Sequence, residues 1–190
     1  IFLYFTISAL VVMLLSGEAL YMQMSHQLSV MTQEESQAVL GQVNRSVDSY
    51  LRTIMKLSDS LYYGVIKNAD LSAGSINSQI TLLYDNNKDS IANIALLSKE
   101  GELLEAVPAA RLKTDLDVTE EEWFGSTLKR TDNLHFTTPH VQYIFDNNEQ
   151  QYRWVITLTR AVEITHGTSA DQGILLIDIR YSSLQQILED

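Results

Sequence analysis

Gly173–Ile179 reads GILLIDI and, one turn earlier, Tyr152–Ile164 reads YRWVITLTRAVEI. Both runs have strand length and are rich in β-branched residues, and the polar Thr165–Gln172 (THGTSADQ) separates them. This pattern predicts an antiparallel hairpin. Apolar residues on both faces of the second run place it inside the sheet, covered on two sides. Asp178 interrupts that run, and a carboxylate there must be paired or lose its charge. A hairpin symmetric about Thr168 sets Asp178 opposite Leu158 and diagonal to Arg160 on one face. Asp178 then reads either as the structural partner of Arg160 or as a carboxylate facing a pocket.

Upstream, Phe136–Thr138 and Val141–Phe145 form short extended pieces around Pro139, and Asp146–Gln150 (DNNEQ) turns the chain into the hairpin. Ile91–Ser98 (IANIALLS) reads as a further strand, Lys99–Glu102 as a tight turn on Gly101, and Glu102–Val107 as the return. The sheet should therefore be antiparallel with about five strands. The polar stretch Ala109–Asn133 holds one helix, with Thr119 as N-cap and Glu122 completing a capping box. Trp123, Phe124 and Leu128 form its buried edge. Core packing accounts for Trp123 and Phe124, yet the covering segment is long and loop-rich for a lid that only completes a core, and such loops often bind. His140 stands at a strand entry, where it is either an exposed turn residue or part of the same cavity lining.

Before the sheet, Leu20–Lys67 contains no proline, and Val39, Val43, Val47, Tyr50, Ile54, Leu57 and Leu61 recur at spacings of three and four. That is a heptad-like seam on one long helix. Its Leu61 end is expected to pack on the sheet and its earlier part to pair with a second copy. Asn68–Ser75 breaks the chain, and Ile76–Tyr84 starts a shorter helix. The uncharged start, Ile1–Gly17 (IFLYFTISALVVMLLSG), is apolar all round and reads as a membrane anchor with a few apolar residues upstream of it. No Lys or Arg precedes Arg45, whereas Glu18, Glu34 and Glu35 do, so the chain beyond the anchor is expected outside the cytoplasmic membrane. Tyr181–Asp190 (YSSLQQILED) begins one more helix.

With 13 Lys+Arg against 24 Asp+Glu, the net charge of −11 repels phosphate backbones, which makes nucleic acid a poor partner. The lack of cysteine removes disulfides, thiolate metal sites and cysteine nucleophiles. No nucleophile elbow, zincin, P-loop or dinucleotide fingerprint occurs, and the four histidines are not spaced as a helical metal pair. Glu120, Glu121 and Glu122 suit a first helical turn better than acid–base chemistry. No cofactor, metal or enzymatic activity is expected of this fragment.

The anchor, the long helix, the hairpin at Gly101, the WF helix, TPHVQ at a strand entry, VITLTR and GILLIDI together resemble the extracytoplasmic double Cache sensors, above all those of Gram-positive two-component sensor histidine kinases. Similar domains occur on chemoreceptors and diguanylate cyclases. The resemblance implies an α+β fold in which the long helix packs on one face of a PAS-like antiparallel sheet and a ligand pocket opens on the other. It divides the chain into an anchor at 1–20, a signalling and dimerisation helix at 21–67, a membrane-distal sensor module at 68–180, and the start of a linker helix to a second module at 181–190. In amino-acid-binding members the pocket carries an Arg two residues before a Trp-Tyr pair, a later Tyr after a Pro, and an Asp in the last strand. Trp123 and Asp178 match that scheme, and Phe124 stands at the Tyr. Glu121 replaces the Arg and His140 the later Tyr. The candidate ligand-binding residues are thus Trp123, Phe124, His140, Asp178, Arg160 and Glu121, and the expected ligand is a small polar or cationic molecule, or a sugar stacked on Trp123. The expected assembly is a homodimer on the cytoplasmic membrane. A pilin-like subunit is the structural rival, because FTISALVV resembles a pilin start, but Ala9 stands where pilins place a glutamate.

Overall fold

Six antiparallel strands form the main sheet of this computed structural model, in the order β2-β1-β8-β7-β4, with β5 also paired to β7. The structure describes residues 2–67, 69, 76–129, 134–146, 153–166 and 169–189. In chain order the elements are α1 (Phe2–Asp59), a π-helical turn (Ser60–Ile66), α2 (Ile76–Asp85), β1 (Ile91–Ser98), β2 (Leu103–Val107), β3 (Arg111–Leu112), a 3-10 turn (Val118–Glu120), α3 (Glu122–Lys129), β4 (His135–Phe136), β5 (His140–Val141), β6 (Phe145–Asp146), β7 (Trp154–His166), β8 (Ser169–Arg180) and α4 (Tyr181–Glu189). β3 and β6 form a separate two-stranded ribbon. The chain divides into two compact units, Ile1–Ser46 and Val47–Asp190. No helix among the described residues is long and apolar enough to cross a membrane. Most side chains of the expected anchor lie outside the described residues, as do most of the expected break at 68–75 and residues 167–168 of the expected turn.

The hairpin of β7 and β8 is longer and tighter than its sequence suggests. Its register runs from Val155↔Arg180 to His166↔Ser169, so Thr165, His166 and Ser169–Gln172 are strand and not turn. Asp178 therefore faces Thr157, one residue away from the expected Leu158. β1 pairs with β8 along its whole length, which puts it between β2 and β8. Seven of its eight residues are buried, as an interior strand covered on two faces requires. Two glycines permit this geometry. Gly101 turns the β1–β2 hairpin at φ +84°, and Gly173 lies so near Ile164 and the Leu97 carbonyl that no Cβ fits.

The sheet separates two apolar cores. On one face Ile94, Leu96, Ile156, Leu158, Leu175, Ile177 and Ile179 meet Ile54, Leu57 and Leu61 of the helical segment. Burial of Leu61 alone is worth about 2 kcal/mol. The π-helical turn follows, and its wider ladder, seen in the bond from Lys67 N–H to the Tyr62 carbonyl, buries both Leu61 and Ile66. The heptad-like seam is thus buried at its Leu61 end, while Val39 is 55% exposed. On the other face Ala95, Leu97, Ile174 and Leu176 pack with Val118, Trp123 and Phe124. The expected cap at Thr119 is replaced by Asp117, whose carboxylate accepts from Thr119 N–H at 2.9 Å to start the 3-10 turn that leads into α3.

Candidate functional site

Strand alternation puts Thr157, Thr159 and Asp178 on the α3 side of the sheet, because residues two apart on a strand share a face and paired residues match. Asp178 is fully buried there. It accepts from Thr157 Oγ1 at 2.6 Å and from Asn93 Nδ2 at 3.2 Å. Asn93 is its register partner on β1 and Thr157 its partner on β7. His140 on β5 extends the row, with Nε2 3.4 Å from Thr157 Oγ1. A line of four polar side chains therefore crosses four strands. Burial pushes the Asp178 carboxyl above the usual carboxylate range, while the bonds from Thr157 and Asn93 and the charge of His140 act in the opposite direction.

Above this row lies a cavity of about 240 Å³ lined by Trp123, Thr137, Thr138, His140, Tyr143 and Thr157. A neighbouring cavity of about 630 Å³ shares Trp123, Thr137 and Thr138 and adds Glu121, Ser126 and His135 among others. Trp123 stands between the two. Its indole Nε1 donates to Tyr143 Oη at 3.2 Å, and that hydroxyl donates to Glu121 Oε2 at 2.8 Å. Burial, reinforced by Glu121, pushes the Tyr143 phenol up to about 12, so it stays protonated at physiological pH. Helix α3 is held over the sheet by Thr127, which donates to the Trp123 carbonyl at 2.7 Å and shares a 2.8 Å bond with Thr159 on β7. Neither cavity has a Lys or Arg among its described lining residues. Among the described residues no cluster of His, Asp and Glu could hold a metal ion.

Of the six residues singled out in the sequence, Trp123, His140 and Glu121 line the cavities. Asp178 lies beside Thr157 on the neighbouring strand; it lines neither cavity itself but accepts from the Thr157 hydroxyl, which lines the smaller one. Phe124 belongs to the core, 2% exposed, with its ring edge-on to Trp123 at 5.7 Å. Arg160 is on the other face. The one-residue difference in register turns it toward the helical segment, where Nη1 meets Asp59 Oδ1 at 2.5 Å and the guanidinium lies 4.8 and 5.1 Å from the Tyr62 and Tyr63 rings. The expected Asp178–Arg160 pair does not form. Sequence reading missed Asn93, Thr157 and Tyr143. Asn93 carried a usable signal, being the one amide in IANIALL as Asp178 is the one charge in GILLIDI.

No known protein family and no curated protein matches the chain in sequence. Solved structures match it in shape. The sensory domain of the Campylobacter jejuni chemoreceptor Tlp3 with isoleucine bound superposes with a TM-score of 0.56 at 16% identity, over 83% of this chain and 65% of that one. The ligand-binding domain of the Pseudomonas aeruginosa chemoreceptor PctC in complex with GABA gives 0.53 at 17% identity, over 76% and 60%. A domain of a putative sensory box/GGDEF family protein from Vibrio parahaemolyticus gives 0.56 at 15%, over 82% and 62%. The fold is that of the Cache/PAS-like sensor domains. This chain spans at most about two thirds of the length of these neighbours.

Proposed function

We propose that the chain is the extracytoplasmic ligand-sensing domain of a transmembrane signalling receptor, in first place a two-component sensor histidine kinase of the Gram-positive type. A chemoreceptor or cyclase sensor is the second reading, favoured by the chemoreceptor and GGDEF neighbours. The observation that carries the sensory reading is the polar cavity under α3, built over a buried carboxylate on the sheet face opposite the helical segment. Ligand held there acts on β7, whose alternate residues touch the cavity at Thr157 and the helical segment at Arg160. A differential affinity of a few kcal/mol between two states is enough to switch such a receptor.

The ligand is small and cationic, or a sugar stacked on Trp123. Its ammonium or hydroxyls meet Thr157, Tyr143 and the acidic groups behind them, and neither cavity has a Lys or Arg among its described lining residues to hold a free carboxylate. In a thermal-shift screen of ethanolamine, putrescine, glucose and free amino acids, an amine or sugar should raise the melting temperature of the chain and not that of Asp178→Asn. Stabilisation by amino acids alone would overturn this choice of ligand. Membrane topology is checked with Glu100→Cys, which an impermeant thiol reagent should label on intact cells; labelling only after lysis refutes it. For the dimer, Cys at Val43 should cross-link between copies far better than Cys at Asp48, and equal yields would remove the seam.

A further inference from the structure

The row Asp178–Thr157–His140 has one hydroxyl hydrogen at its centre and an acceptor at each end. His140 Nδ1 lies 3.0 Å from the Thr138 carbonyl, which can only accept, and 3.3 Å from the Thr137 hydroxyl, which can accept as well; a bare Nδ1 would set its lone pair against the nearer carbonyl, so Nδ1 carries a hydrogen that both oxygens accept. Nε2 is then the variable position. If Thr157 donates to an ionised Asp178, its oxygen has only lone pairs left for Nε2, and the 3.4 Å contact is a bond only when His140 is the doubly protonated cation. If His140 is neutral, Thr157 must donate to Nε2, and the 2.6 Å contact is a bond only when the Asp178 carboxyl donates to Thr157. Both bonds form when the row holds one proton beyond the Nδ1 hydrogen, and with none, one of them is lost. The other titratable groups facing the row do not take its place. Tyr143, whose ring lies 5.7 Å from that of His140, keeps its proton and donates a hydrogen bond to Glu121, and Asn93 on β1 is neutral.

We infer that Asp178, Thr157 and His140 hold a single proton in common, and that a cationic ligand entering the small cavity displaces it, so that the sensor reads its ligand against pH. Both Thr157 and His140 line that cavity. An ammonium hydrogen from the ligand can take the lone pair on Thr157 Oγ1 that the protonated imidazole occupies. Thr157 then donates to ionised Asp178, His140 becomes neutral, and its proton leaves to solvent. One cation replaces another beside the same buried carboxylate, and the charge of the row with its ligand is unchanged. This rests on the cationic-ligand reading of the site. Binding that releases one proton tightens by about tenfold per pH unit until the shared proton is already lost, and levels off above that point.

The test has two arms on the full 190-residue chain. In the first, without ligand, the Asp178 carboxyl carbon and the His140 ring carbon are followed by NMR through a pH titration. One step seen at both nuclei, split into separate steps by Thr157→Val and rejoined by Thr157→Ser, supports the shared proton. Separate steps in the unaltered chain overturn it, whatever binds. In the second, ethanolamine is titrated calorimetrically in two buffers of different ionisation enthalpy. About one proton released per amine bound supports displacement. Binding without release overturns displacement and leaves the amine reading standing. Absence of ethanolamine binding, with the joint step intact, overturns the cationic ligand and displacement with it.

Discussion

On the helix face of the sheet, Leu158, Leu175 and Ile177 close over Ile54, Leu57 and Leu61, and the buried guanidinium of Arg160 is matched by a fixed partner, Asp59. On the other face, the buried carboxylate of Asp178 has no cationic partner in direct contact and is satisfied by a hydroxyl and an amide, with an imidazole one bond further on. Both faces are built from the same strands, and β7 supplies residues to each in turn. The contrast separates two ways of burying a polar group. A direct ion pair fixes the charge state and holds two elements together, whereas a row of exchangeable donors leaves more than one charge state open.

If the helix face is the mechanical core, its largest buried side chain from the helical segment should be the most costly to trim. Leu61→Ala is expected to lower stability by about 2–5 kcal/mol, read as a fall in the denaturant midpoint with an unchanged slope. A loss below about 1 kcal/mol would mean that the helical segment rests on the sheet without supporting it.

The next effect tests whether the faces are energetically separate. Arg160→Ala removes the Asp59 bond and the stacking on Tyr62 and Tyr63, and should cost about 1–3 kcal/mol. The loss stays below that of a stranded buried charge, because the Asp59 side chain is 54% exposed and water can take it over. Affinity for ligand in the cavity should be unchanged. A matching loss of binding would return Arg160 to the site and erase the distinction between the faces.

Arg160 also marks where sequence reading stops. The strand runs of β1, β2, β7 and β8, the turn at Gly101, the helix at Trp123 and the antiparallel sheet were legible, since each rests on periodicity or on a local turn residue, whereas the expected Val141–Phe145 run is strand only at its ends, Val141 in β5 and Phe145 in β6. Register was not. The hairpin was expected to centre on Thr168, but Thr157 and not Leu158 faces Asp178, and a slip of one residue carries every side chain of β7 to the other face. Asp178 was legible as buried, because a lone charge in an apolar run has no other place. Its partners were not, since Asn93 is 85 residues away in sequence and reaches it only through the β1–β8 pairing. Phe124 and Trp123 are adjacent on one helix and look alike in sequence. Only the packing sends the first to the core and the second to the cavity wall.

The smallest change in stability should come from the most informative substitution, Asp178→Asn, and with the opposite sign. Asn keeps an acceptor for Thr157 in the same volume but has no charge to desolvate. In the folded chain, burial raises the Asp178 carboxyl above its unfolded value. Between those two values the folded state holds a proton that the unfolded state has released, so the stability Asp178 contributes is present at low pH and is lost as pH rises through the folded value. The variant escapes that loss. It should match the unaltered chain in acid, below the ordinary carboxylate range, and exceed it by about 1 kcal/mol near pH 8, the size of gain often found when a functional site is relieved. Ligand-induced thermal stabilisation should disappear in the same variant. Chemical denaturation at both pH values decides the matter. A variant that is less stable at every pH makes Asp178 a structural anchor of β1, β7 and β8, and the polar row then differs from the Arg160–Asp59 pair only in its chemistry and not in its role.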